Sequence, residues 1–155
     1  MDKKSDLWET PQWLIDQLKG EFGDKFADLA ANQNNCKGCV FYENIFGEEA
    51  ELYVIHAKWL FLNPPYSKPD RFILRAIELS TRERLTLVML LKADMNTRRM
   101  KLWWDFKNHK CNPGFELRFF DKRVQFTHPN KEYMEKCGGS NFAVMLVIYR
   151  PGEIK

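Results

Sequence analysis

Two apolar runs, Trp59–Leu62 and Leu85–Leu91, the second broken only by Thr86, frame the middle of the chain. Runs without polar alternation suit strands buried on both faces. Between them, Phe72, Ile73, Ala76, Ile77 and Leu79 recur at helical spacing within Pro69–Ser80. Strand, helix and strand in that order read as a crossover within a parallel sheet. The first run stops abruptly on Asn63-Pro64-Pro65-Tyr66. Proline neither continues a helix nor donates to a central strand, so the stop is a rigid turn at a strand's carboxyl end. In open α/β sheets, ligands bind at such ends.

The flanking sequence extends the pattern. Thr10 reads as an N-cap and Pro11 as the first residue of a helix carrying Leu14, Leu18 and Phe22, ended by Gly20 and Gly23. Phe26–Leu29 reads as a short strand entering a small-residue turn, and Tyr53–Ile55 as a weak strand. "NTRRMKLWWDFKN" reads as a basic, aromatic helix or half-helix. "FELRFFDKRVQF" suggests strands joined by a tight turn at Asp121-Lys122, and Asn141–Tyr149 a final long strand. The expected fold is α/β: a compact, doubly wound, Rossmann-like and mostly parallel sheet with antiparallel strands at its carboxyl-terminal edge.

The chain of 155 residues fits one domain, 1–155, with little room for a separate target-recognition domain. No apolar run approaches the ~20 residues of a membrane helix, and the start lacks an apolar signal core. A cytoplasmic location is expected. Cys36, Cys39, Cys111 and Cys137 are read as reduced thiols. Cys36 and Cys39 form a Cys-x-x-Cys pair, but the histidines and other cysteines are scattered singles, so no metal site is assigned. Residues 1–56 carry 5 Lys/Arg against 11 Asp/Glu, and residues 57–155 carry 19 against 10. A basic second half suits a polyanion or an ordinary solvated surface.

The turn itself offers chemistry. Asn63 brings a side-chain carbonyl, Pro64 a second carbonyl acceptor, and Tyr66 a flat aromatic face. Two acceptors and a stacking ring suit a planar ligand bearing an amine, such as adenine. That amine is a poor nucleophile because its lone pair is delocalised into the ring. Acceptors on its hydrogens would favour a tetrahedral nitrogen and stabilise the positive charge that grows as it attacks a methyl group. Preorganised stabilisation of this kind is worth ~3 kcal/mol per group and requires no metal. The base must leave the duplex to reach the pocket.

"NPPYS" after "WLFL" resembles motif IV of the S-adenosylmethionine-dependent amino-methyltransferases. The wider pattern resembles the phage-type DNA N6-adenine methyltransferase (Dam) family, through "WETPQWLIDQLKGEF", "FADLAAN", "LLKADMNTRRMKLWW", "ELRFFDKRVQF" and "SNFAVMLVIYRP". The resemblance implies a class I methyltransferase fold, a phage- or plasmid-encoded protein acting in a host cell, and double-stranded DNA as substrate. It implies a methyl-transfer pocket of Asn63, Pro64, Pro65 and Tyr66. It places Asp28, Ala30 and Ala31 against the methionine part of the cofactor, with Trp8, Thr10 and Pro11 closing over it. The chain departs from the family at Lys92, where proline is usual, and at Lys122, where glycine is usual. Glu43 and Glu51 are the candidates for the cofactor's ribose.

Lys68 and Arg71 lie just past the turn, where a phosphate could pass. Arg98, Arg99 and Lys101 precede Trp103 and Trp104, and Arg118, Lys122 and Arg123 form a second basic strip. These cations are candidates for phosphate contact, while the tryptophans read as core. Asp94 and Thr97 read as helix-capping residues. Sequence recognition would come from loops and the basic half, or from a second copy in a homodimer. The alternatives are methylation of RNA or of a protein glutamine, and a nucleic-acid-binding relative that has lost catalysis.

Overall fold

The computed structural model describes residues 8–31, 36–37, 40–41, 45–47, 56–137 and 142–154. In chain order the elements are α1 (Gln12–Phe22), β1 (Phe26–Asp28), β2 (Val40–Phe41), β3 (Trp59–Leu62), α2 (Asp70–Glu83) and β4 (Thr86–Lys92). There follow α3 (Met100–Trp103), β5 (Trp104–Asp105), β6 (Lys110–Cys111), β7 (Phe115–Phe119), α4 (Lys131–Cys137), β8 (Val144–Tyr149) and a 3₁₀ turn at Pro151–Glu153. No helix among the described residues is long and apolar enough to cross a membrane.

Among the described residues the main sheet has six strands, in the order β2-β1-β3-β4-β8-β7. The pairs β2–β1, β1–β3 and β3–β4 are parallel, whereas β8 runs antiparallel to both β4 and β7. In this sheet all strands but β8 therefore point the same way. The apolar runs are continuous because successive residues serve opposite faces. In β4, Leu87, Met89 and Leu91 face one core, with Ile73, Ala76 and Leu79 of α2. Val88 and Leu90 face the other, with Leu14, Ile15 and Leu18 of α1. Helices on both faces leave these strands no solvated side.

Several expectations are corrected in detail. Gly20 lies inside α1; Gly23, at φ +108°, ends it, and its N–H donates to Lys19 O at 2.9 Å. Positive φ there favours glycine. The N-cap of α1 is Pro11, whose carbonyl accepts the Ile15 N–H; Thr10 does not cap, because its hydroxyl is bonded to Asn63. The basic segment expected as a helix or half-helix is a single turn, α3, followed by the β5–β6 hairpin. The strand pair expected around Asp121-Lys122 is a single strand, β7. Beyond it, Val124 and Phe126 alternate as in a strand but bury against the α1 face of the sheet, and Thr127 pairs with the backbone of Glu9. The weak strand expected at Tyr53–Ile55 lies outside the described residues.

Candidate active site

The chain leaves β1 for β2 on one side and returns to β3 on the other. Strand order thus reverses between β1 and β3, the position where open α/β sheets bind ligands. Asp28 ends β1 and Asn63 follows β3. Asp28 pairs in register with Phe61, and the Leu29 N–H donates to Phe61 O at 2.9 Å. Strand geometry sets the Cα atoms of Asp28 and Asn63 about 8 Å apart.

Asn63 is half-buried, and its Nδ2 donates to Thr10 Oγ1 at 3.0 Å. Among the described residues nothing donates to Asn63 Oδ1 or to the carbonyl of the buried Pro64, whereas the Pro65 carbonyl accepts the Lys68 N–H. Two adjacent acceptors are therefore left for a ligand. Tyr66 donates its hydroxyl to Leu90 O at 3.0 Å and meets Phe142 edge to face at 5.0 Å. Burial pushes the Tyr66 hydroxyl pKa up, which keeps it a donor. The ring is thereby pinned to β4 next to the acceptors.

Asp28 is buried, with Oδ2 accepting the Lys37 N–H at 3.2 Å and Oδ1 the Ala30 N–H at 3.5 Å. Desolvation pushes its pKa up to about 6, against those backbone hydrogen bonds. A buried carboxylate of this kind gains from a cationic ligand. Ala30 and Ala31 beside it are small. Trp8 and Thr10 are buried, and Trp8 packs against His128 and Tyr133. The Glu9–Thr127 bridge holds this amino-terminal segment over the α1 face. A buried carboxylate at this strand end fits the ammonium group of an amino-acid moiety.

The chain matches the family described as DNA N-6-adenine-methyltransferase (Dam) over residues 1–154. It belongs to that family. A relative from Haemophilus phage HP1 (strain HP1c1), named DNA N-6-adenine-methyltransferase, is 33% identical over 157 residues, covering 96% of this chain and 82% of the relative. A relative of the same name from Escherichia phage T1 is 37% identical over 99 residues, covering 62% of this chain and 40% of the relative. No solved structure matches the chain.

In this Dam-family chain the cations sort by position. β7 runs parallel to β4, so Lys122 and Arg123 leave the sheet at the same end as the Asn-Pro-Pro-Tyr turn, and both are exposed. Lys68, Arg71, Arg98 and Lys101 are exposed, and Arg71 lies 4.4 Å over the Phe46 ring. Arg99 bonds Asp70 Oδ1 at 2.6 Å. Arg118 forks onto both oxygens of Glu21 at 2.6 Å and also meets Glu116, which binds Arg150. Those partners hold Arg118 in a network joining α1 to the sheet. Asp94 turns the chain by accepting the Asn96 N–H, and its own carbonyl accepts the Thr97 hydroxyl.

Sequence reasoning missed Phe142 and Lys92 as neighbours of Tyr66. They meet there because β8 pairs with β4, placing Val144 opposite Lys92. Lys92 follows one apolar run and Phe142 begins another, which in the sequence marks only a strand boundary. The ribose candidates Glu43 and Glu51 lie outside the described residues.

Proposed function

We propose that this chain transfers a methyl group from S-adenosylmethionine to the exocyclic amine of an adenine turned out of duplex DNA, in a single class I, Rossmann-like domain. Family membership supports the reaction. The observation that carries the site is the pair of acceptors, Asn63 Oδ1 and Pro64 C=O, unpartnered among the described residues, beside the pinned ring of Tyr66. The acceptors take the amine's hydrogens and favour charge developing on that nitrogen, each worth ~3 kcal/mol. Tyr66 offers its ring to the base, which offsets part of the unstacking. Pro65 stiffens the turn that aims them.

S-adenosylmethionine, when bound, supplies an electrophilic methyl group on sulfur. Asp28 would meet its ammonium, with Ala30 and Ala31 leaving room for the methionine part. Trp8, Thr10 and Pro11 close that side, and the Thr10 hydroxyl fixes the Asn63 amide so that its oxygen faces the base. Lys68, Arg71, Arg98, Lys101, Lys122 and Arg123 are the phosphate contacts. Sequence is read by loops and the basic second half of the chain, or with a second copy, in the cytoplasm of a host cell.

The test is incubation with S-adenosylmethionine and unmethylated DNA, followed by digestion to nucleosides. N6-methyladenine is the expected product; its absence across varied DNA, or transfer to RNA alone, overturns the reading. Asn63→Ala should lower the transfer rate at least about 100-fold. It leaves the buried Thr10 hydroxyl without its partner, at about 1 kcal/mol of stability. A folded, fully active Asn63→Ala protein would remove Asn63 from the mechanism.

A further inference from the structure

Lys92 is the last residue of β4, at the rim of the Tyr66 pocket. Its Nζ lies 5.5 Å from the centre of the Tyr66 ring and 4.9 Å from that of Phe142. One ammonium thus rests on both rings. The cleft beneath is lined by Tyr66, Pro69, Ile73, Leu91, Lys92 and Arg99. Arg99, the other cation of that cleft, is committed to Asp70. Lys92 has no carboxylate partner among the described residues and is exposed. An exposed ammonium held by ring quadrupoles is held weakly. On its flexible stem, a compact charge of this kind readily takes a phosphate instead. A base that stacks beside Tyr66 brings its own phosphodiester to this rim.

We propose that Lys92 holds the phosphodiester of the extruded nucleotide, leaving the Tyr66 and Phe142 rings as the base arrives. The assignment rests on Tyr66 being the base-stacking residue. It makes Lys92 a positioning residue of the target pocket, distinct from the exposed cations that track the rest of the duplex.

Lys92→Met keeps the stem and removes the charge, and Lys92→Arg restores a cation. Binding of each protein to a duplex carrying the target adenine, located by mapping N6-methyladenine, is measured across a range of salt. The slope of log K against log salt should be shallower by about 0.9 in Lys92→Met and restored in Lys92→Arg. A second duplex carries an uncharged methylphosphonate at the target nucleotide. It should weaken binding by the wild-type protein and leave Lys92→Met unaffected. An unchanged slope in Lys92→Met, or equal sensitivity of both proteins to the neutral linkage, overturns the proposal. A wild-type protein that leaves no N6-methyladenine overturns the activity reading instead; the salt slopes on plain duplex then still decide the phosphate role.

Discussion

At the residue scale, Asp28 makes the sharpest physical statement. Its carboxyl is buried and its pKa is pushed from 3.8 up to about 6. A carboxyl with a raised folded pKa binds more protons in the native than in the unfolded chain between those values. Stability therefore falls as pH rises from about 4 to about 6 and stays lower above. The shift corresponds to about 3 kcal/mol. Asp28→Asn removes the ionisation. Its advantage over the wild-type protein should grow by up to about 3 kcal/mol between pH 4 and pH 7, measured by denaturant unfolding at each pH. A difference flat with pH would show that the carboxylate is compensated in the folded chain. The instability of a buried charge is what a ligand ammonium would relieve. The sequence marked Asp28 only through its Asp-x-Ala-Ala setting; burial and the Lys37 contact needed the fold.

At the element scale, α1 is anchored twice. Leu14, Ile15 and Leu18 bury against the sheet, and Glu21 grips Arg118 of β7. Arg118 holds the Glu21 and Glu116 carboxyls below the usual carboxylate range. These side chains are partly exposed, so the network is worth about 1 kcal/mol. Arg118→Met should lower Tm by about 2–4 °C. It should leave the salt slope of DNA binding unchanged, because the guanidinium is engaged within the fold. A shallower slope would return Arg118 to the phosphate contacts. The helical and buried-strand periods of α1, α2, β3, β4 and β8 were legible because each serves a packed face. The segment after β7 was not: period-2 burial of Val124 and Phe126 looks the same in a ladder as in an extended stretch lying on a sheet face.

At the scale of the whole molecule, every central strand feeds both cores, so neither face can melt alone. Leu14→Ala on the α1 face and Leu79→Ala on the α2 face should each cost about 2–5 kcal/mol. They should do so in one cooperative transition, with near-additive effects in the double variant. Separate transitions for the two faces would contradict this. The amino-acid sequence by itself determined the strand-helix-strand unit, the rigid Asn-Pro-Pro-Tyr stop and the chemistry of its acceptors, because hydrophobic period and proline geometry are local. Its basic second half was visible too, but not which cations are free. Only the tertiary structure decided that Thr10 serves Asn63 and not the helix end, that Arg118 is tied to Glu21, and that Lys92 and Phe142 share the Tyr66 ring. Those contacts join residues from 26 to 97 positions apart, such as Tyr66 with Lys92 and Glu21 with Arg118. Strand order and register bring them together, and no local pattern encodes strand order.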